Sequence, residues 1–155
     1  MDRAVADCIM NIEITNLFFT GILAGIEVAV HYGFHAPTVA LDTKAQIQLR
    51  QGVIRRLRWL VPAIFIPSAL TGIALTVVDG HAPGLHFRLV ALGEVLVWII
   101  VRIVGTVRIN SATLEWNPEV PPENWRQRIT TAEQFHIVGT WAAVLAFVFF
   151  LLGMT

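Results

Sequence analysis

Four apolar segments constrain this chain more than any other feature of its sequence. They cover about residues 12–34, 59–78, 87–109 and 131–154. An α-helix of about 20 mostly apolar residues crosses the hydrocarbon core of a bilayer, and a helix satisfies its own backbone hydrogen bonds in lipid. The sequence therefore predicts an all-α fold, a membrane-embedded up-down four-helix bundle formed by residues 1–155 as a single domain.

The composition agrees with a membrane protein. Only 14% of the residues are charged and 55% are hydrophobic, with a mean hydropathy of +0.66, whereas soluble domains carry about 25% charged residues. A net charge of zero argues against nucleic acid as a partner. No basic region precedes the first apolar segment, which we therefore interpret as a retained span and not as a signal peptide.

Two long polar connections follow the first and third spans. Residues 38–58 form an amphipathic, basic extension that is predicted to be helical and continuous with the second span. Residues 110–130 form a polar loop rich in Trp and Pro. Basic residues concentrate in these two connections, whereas the second connection has only Arg88. Because basic loops remain cytoplasmic, we expect a bacterial inner-membrane protein with both termini on the outer side.

Ionisable side chains recur at one depth of the predicted bundle. They are Glu27 and His31 in the first span, Arg102 in the third, and Glu133 and His136 in the fourth. At about 1.5 Å per residue, most of them lie roughly 5–10 Å inside the cytoplasmic ends of their helices. Such residues usually face the bundle interior. The sequence predicts one polar chamber near the inner leaflet, enclosed by apolar walls.

The spacing within two spans supports this prediction. Glu27, His31 and His35 follow at intervals of four and share a helix face, and Glu133 and His136 also share one. One hypothesis for these residues is acid–base catalysis, in which His136 is the general base and Glu133 or Glu27 orients its imidazole. Arg102 then stabilises an oxyanion.

Two further chemistries use the same residues as ligands. In di-metal carboxylate bundles a Glu-x-x-His pair supplies a carboxylate and an imidazole to one ion, so Glu27, His31, Glu133 and His136 are candidate metal ligands. Alternatively, His31 or His136 binds a haem. Structural roles also account for some of these groups: Glu27 can neutralise Arg102 as an intramembrane ion pair, and Glu133 suits the first turn of a helix.

A set of short motifs resembles the anthrone-oxygenase-like family of small four-span integral membrane proteins, most of which form a domain of unknown function. The motifs are Ala24-Gly25, Pro37, Asn110 at the end of the third span, Leu114-x-Trp116, the Pro-rich turn into Trp125, and His136. The chain departs from the family pattern at Arg108, Gly139 and Ala132, where a proline, an arginine and a tryptophan are expected.

The resemblance implies a membrane-bound enzyme that oxidises a hydrophobic aromatic molecule with dioxygen. It implies that Asn110 and His136 belong to the catalytic site and that Trp116 and Trp125 contact the substrate. A second hypothesis from another class is a non-catalytic membrane subunit or ligand-binding protein, associated with a larger membrane complex or with copies of itself. In that case the buried polar pairs are structural.

Overall fold

The computed structural model describes residues 3–80 and 83–154, and for residues 35 and 36 it describes the backbone only. The side chain of His35, which was predicted to share a face with Glu27 and His31, therefore lies outside the described residues. Within these limits the chain consists of helices, turns and short connections. The helices are α1 (Arg3–Val28), α2 (Phe34–Val39), α3 (Thr43–Val78), α4 (Leu85–Val101), α5 (Arg108–Leu114) and α6 (Trp125–Leu152).

Two π-helical segments join some of these helices into longer ones. The first, Ala29–Gly33, connects α1 to α2, and the second, Arg102–Val107, connects α4 to α5. The described residues thus form four continuous helices, and each is long and apolar enough to cross a membrane. The predicted all-α, membrane-embedded four-helix bundle is confirmed, and the protein is an integral membrane protein on this criterion.

The helices extend further than the apolar segments that predicted them. Helix α3 begins at Thr43, where the Asp42 side chain accepts a hydrogen bond of 2.9 Å from the backbone N–H of Ala45. It includes most of the amphipathic extension and is 36 residues long. The connection predicted for residues 110–130 is reduced to 115–124, and Asn110 lies inside α5. Hydropathy identifies the part of a helix within hydrocarbon, whereas the hydrogen-bonded backbone continues into the polar interface.

Neighbouring helices pack in a ring in which α1 contacts α3 and α6, and α4 contacts α6 and α3. Small side chains of α6, including Ala142, Ala143 and Ala146, are buried in the two central apolar clusters. Small residues permit close approach of helices in membranes, where lipid provides no hydrophobic drive for association. The seam between α3 and α4 is the loosest of the four.

A buried arginine joins all four helices at the end where α3 finishes and α4 begins. Arg88 is 3% exposed. Its guanidinium lies 2.8 Å from a carboxylate oxygen of Glu13 on α1 and 2.9 Å from one of Asp79, which follows α3. Its Nε donates to the backbone carbonyl of Gly153, at the end of α6, at 3.0 Å. We call this group the Arg88 clamp, and its position defines one end of the bundle.

Candidate functional site

A cavity of about 730 Å³ occupies the opposite half of the bundle. Its volume lies within the range of about 300–1,000 Å³ found for small-molecule sites. The rings of Phe65 and Trp98 stack at 4.7 Å between centroids and form its floor. From there the cavity extends between α3 and the α4–α5 helix toward the end that carries Arg50.

The walls of the cavity are largely apolar. Helix α3 contributes Leu49, Val53, Leu57 and Val61 at intervals of four residues, which places them along one face. The predicted ionisable residues enter the same space from the other helices. An apolar wall with a few convergent polar groups is the usual form of a binding site.

Glu27 and Arg102 form a buried ion pair at this wall. The Glu27 side chain is 1% exposed, and Arg102 is 13% exposed. One Glu27 carboxylate oxygen accepts from the Arg102 guanidinium, and the other accepts from the indole N–H of Trp98 at 3.2 Å. The predicted ion pair between Glu27 and Arg102 is therefore present in the structure.

His136 lies directly beside this pair. Its Nε2 is 3.3 Å from the Arg102 guanidinium nitrogen that also binds Glu27, and 3.6 Å from the Glu27 carboxylate. Its Nδ1 is 3.1 Å from the Thr140 hydroxyl oxygen, and that hydroxyl donates to the backbone carbonyl of His136 at 2.9 Å. A hydroxyl has one hydrogen, so Nδ1–H must donate to Thr140. The neutral ring therefore keeps the Nε2 lone pair directed at Arg102.

His31 completes the cluster from the first span. Its ring is stacked on that of His136, with 5.7 Å between centroids and 20° between planes. Both rings line the cavity. The predicted convergence of Glu27, His31, Arg102 and His136 from three different spans is thus what the structure shows.

Glu133 belongs to a second ion pair further from the floor. One of its carboxylate oxygens accepts from Arg50 of α3 at 2.9 Å, and the two side chains are about one quarter exposed. Both residues line the cavity. Glu133 is therefore directed at Arg50, a residue of the basic connection that was not among the predicted site residues.

The π-helical segments bring polar residues onto the cavity wall. His31 lies in the first segment, and Arg102 begins the second. The residues Trp98, Arg102, Thr106 and Asn110 all line the cavity at intervals of four. In a regular α-helix each such interval rotates the side chain by about 40°, so three intervals would rotate it by about 120°. A π-helical turn contains more residues and offsets that rotation, and single π turns occur frequently at functional sites.

Two polar atoms of this wall have unused hydrogen-bonding capacity. Nε of Arg102 and the hydroxyl of Thr106 are buried, and neither has a hydrogen-bond partner among the residues that the structure describes. Buried polar groups are nearly always paired. Both atoms belong to residues that line the cavity, so two polar groups behind its surface lack a partner among the described residues.

Trp116 and Trp125 lie elsewhere. They are 8% and 6% exposed and pack around Ile47 of α3, and neither lines the cavity. Gln51, one turn after Ile47, donates to the backbone carbonyls of Thr113 and Trp116, each at 2.9 Å. The two tryptophans therefore hold the 115–124 connection against α3 and do not cover the cavity. Their predicted contact with substrate has no support in this arrangement.

The predicted metal site has no support in this geometry. Within residues 3–80 and 83–154, no three His, Cys, Asp or Glu side chains are grouped so as to hold a metal ion. The Arg102 cation lies between Glu27 and His136, and Glu133 faces Arg50, so a dication would be repelled. A haem held by His136 would need one of its ring nitrogens to leave Arg102 or Thr140.

Sequence reasoning missed three features of the site: Arg50 as the partner of Glu133, the indole of Trp98 as a donor to Glu27, and Thr140 as the acceptor that sets the His136 tautomer.

Comparison of the chain with protein-family models, with curated proteins and with solved structures finds no match.

Proposed function

We propose that the protein is a membrane-bound, oxygen-using oxidoreductase that binds a hydrophobic aromatic molecule in the cavity and removes a proton from it with His136. The observation that carries this proposal is the position of His136 Nε2, 3.3 Å from the guanidinium of the buried Arg102, on the wall of an apolar cavity. The use of dioxygen is the part that the resemblance to anthrone oxygenases supplies.

The arrangement suits the deprotonation of a weakly acidic C–H or phenol. A general base needs a lone pair within hydrogen-bonding reach of the proton, and Nε2 provides one when the bound molecule replaces its 3.3 Å contact with Arg102. The oxygen that gains negative charge needs a fixed positive group in a low-dielectric site, and Arg102 provides it. Glu27 and Trp98 hold Arg102 in place and act as positioning residues.

Oxidation then balances with dioxygen as the co-substrate. The deprotonated ring carbon adds dioxygen and takes up a proton to give a hydroperoxide. Loss of water from this group converts the original CH₂ into a carbonyl, so an anthrone and dioxygen give an anthraquinone and water. His136 accepts the first proton and returns it, and no protein group changes its oxidation state.

The test is oxygen consumption and quinone absorbance with purified protein in liposomes and anthrone as the substrate. We expect His136→Ala to lower the rate by roughly 10²–10⁴-fold, the contribution of a general base. His86→Ala is the matched control, because His86 is exposed and lies near the Arg88 clamp, outside the cavity lining. Unchanged turnover in His136→Ala, with His86→Ala also unchanged, would overturn the assignment.

A non-catalytic ligand-binding protein or small membrane subunit is the second candidate. It is favoured by the charge balance of the site, since Glu27 is paired with Arg102 and Glu133 with Arg50. Such pairs can be structural alone. Saturable binding of anthrone by the wild-type protein, without oxygen consumption, would select this candidate.

We also propose that both termini lie outside a bacterial inner membrane, because the basic α3 extension favours the cytoplasmic side. Cys8 is exposed, and it lies five residues before Glu13 of the Arg88 clamp. At about 1.5 Å per residue it extends roughly 7 Å beyond the clamp. An impermeant maleimide should label Cys8 in intact cells; labelling only after lysis would reverse the orientation.

A further inference from the structure

The cavity is open through the side of the bundle as well as toward its end. The side opening is the gap between α3 and the α4–α5 helix, and its rim is formed by Pro62, Ile66, Ile103 and Val107. All four line the cavity. Ile66, Ile103 and Val107 are also 52%, 62% and 52% exposed. A residue that faces both the cavity and the surroundings marks a place where the two are continuous.

The depth of this opening can be measured from the Arg88 clamp. The floor residues Phe65 and Trp98 lie fourteen residues from Asp79 and from Gly84, respectively (79 − 65 and 98 − 84). At about 1.5 Å per residue both are roughly 21 Å from the clamp end. Since the hydrocarbon core is about 30 Å thick, the floor lies beyond the midplane.

The two polar groups of the site lie nearer the opposite interface. Arg102 is eighteen residues from Gly84 (102 − 84), which corresponds to about 27 Å. Arg50 is twenty-nine residues from Asp79 (79 − 50), or about 44 Å, beyond the hydrocarbon. On the same measure, Ile66 of the rim lies about 20 Å from the clamp end (79 − 66 residues) and Val107 lies about 35 Å from it (107 − 84 residues). The rim therefore extends from the lipid chains at Ile66 to the headgroups at Val107, beside the polar end of the cavity.

We propose that the ligand enters the cavity through the side opening, from the membrane leaflet on the Arg50 side. The ligand is an aromatic amphiphile dissolved in the membrane, with a polar group at one end. This inference rests on the proposed function for the identity of the polar contacts. An amphiphile in that leaflet already has its polar group toward the headgroups and its apolar body toward the midplane. It can therefore move into the cavity without turning over, and its polar group meets Arg102 and His136 while its body reaches Phe65 and Trp98.

Access to the cavity can be tested without any substrate. The protein would carry Cys8→Ser and a new thiol from Val61→Cys on the cavity wall, in liposomes. We expect pyrene maleimide, which dissolves in the bilayer, to label Val61→Cys, and a charged methanethiosulfonate added to the water to label it at least about tenfold more slowly. Equal rates for the two reagents would show that the cavity fills from water and would overturn the proposal.

Substitutions at the rim identify the route. Adding Ile66→Trp and Ile103→Trp should slow labelling by pyrene maleimide by about tenfold, because two indoles narrow the gap. Ile73→Trp with Ile100→Trp is the matched control, since both residues are 50% exposed on the same helices and neither lines the cavity. An unchanged rate in the rim variant would overturn the proposal.

A second rim variant guards against failure of the first to fold. Val107→Trp can be compared with Val104→Trp, because Val104 is 65% exposed on the same segment and lies outside the cavity lining. Slower labelling in Val107→Trp alone supports the side opening, and equal rates contradict it. The labelling experiments do not depend on turnover. The expected labelling without oxygen consumption would therefore support the side entry and contradict only the proposed oxidation.

Discussion

Replacing Glu27 by glutamine is the sharpest test of the buried charge cluster. Glutamine keeps the size of the side chain and still accepts from the Trp98 indole, but it leaves the Arg102 cation without a counter-charge. Removing one partner of a buried ion pair costs about 3–5 kcal/mol. We expect the lower end, because Arg102 retains 13% exposure and its guanidinium carbon lies 5.4 Å from the Trp98 ring centroid.

A loss of about 3 kcal/mol corresponds to more than a hundredfold change in the ratio of folded to unfolded protein. It can be measured by titrating the protein from dodecyl maltoside micelles into sodium dodecyl sulfate while circular dichroism follows the helices. Arg102→Met should cost a similar amount, because it leaves the Glu27 carboxylate unpaired. The double variant should recover much of the loss, since an ion pair replaced by neutral groups is often close to neutral in stability.

The exposed pair between Lys44 and Glu119 provides the control. These side chains are 51% and 62% exposed, so Glu119→Gln should cost less than about 1 kcal/mol. If Glu27→Gln were equally mild, or if its effect and that of Arg102→Met were simply additive, Glu27 and Arg102 would not form the desolvated pair described above. A coupling of at least about 2 kcal/mol in the double-mutant cycle is the expected result.

Three further predictions address the packing around the site and at its ends. Gly105→Ala should destabilise the bundle by about 1–3 kcal/mol in the same titration, because the new Cβ would lie 2.2 Å from the ring of Phe135. Gly93→Ala is the control, since a Cβ at Gly93 would have nothing within 4 Å. Equal effects of the two substitutions would contradict the close packing at Gly105. Arg88→Gln should lower the free energy of unfolding by about 3–5 kcal/mol, because it leaves two partly buried carboxylates unpaired. A loss below about 1 kcal/mol would show that the Arg88 clamp does not stabilise the bundle. Gln51→Ala should leave overall stability nearly unchanged but speed protease cleavage within residues 115–124, measured by gel electrophoresis; unchanged cleavage would show that the tryptophans alone hold this connection.

The four spans could be predicted because hydrocarbon selects strongly for apolar residues, and each span is a segment of about twenty mostly apolar residues. Their exact ends could not, since a helix continues through the interface on hydrogen bonds that polar residues also make. Residues 110–114 are an example. Asn110 and its neighbours were assigned to a loop on polarity, whereas they form α5 and present Asn110 and Ser111 to the cavity.

The membership of the charged cluster could be predicted from depth, but the partners of its members could not. Glu27, Arg102 and His136 had matching distances from their helix ends, and the structure joins them. Arg50 lay in a segment considered only for its basic character, so its pairing with Glu133 was not foreseen. Arg88 was counted as a loop charge, although its guanidinium turns inward to satisfy groups of the other three helices.

The π-helical segments left only a weak signal in the sequence. The polar residues Arg102, Thr106 and Asn110 recur at intervals of four through an otherwise apolar stretch, and this period is longer than that of an α-helix. Hydropathy does not respond to such a difference, because it averages the composition of a segment and not the direction of each side chain. Recognising the interval would have predicted one polar stripe where a regular helix distributes these side chains around its circumference.

The Arg88 clamp also determines how this bundle can move. Since all four helices are tied together at that end, α3 and α4 can separate only by tilting about it. The displacement produced by a tilt grows with distance from the pivot, so Arg50 and Glu133 move furthest and the Phe65–Trp98 stack moves least. A tilt of α3 away from its neighbours would then strain the Arg50–Glu133 contact first, because Arg50 is on α3 whereas Glu27, Arg102 and His136 lie on the other three helices.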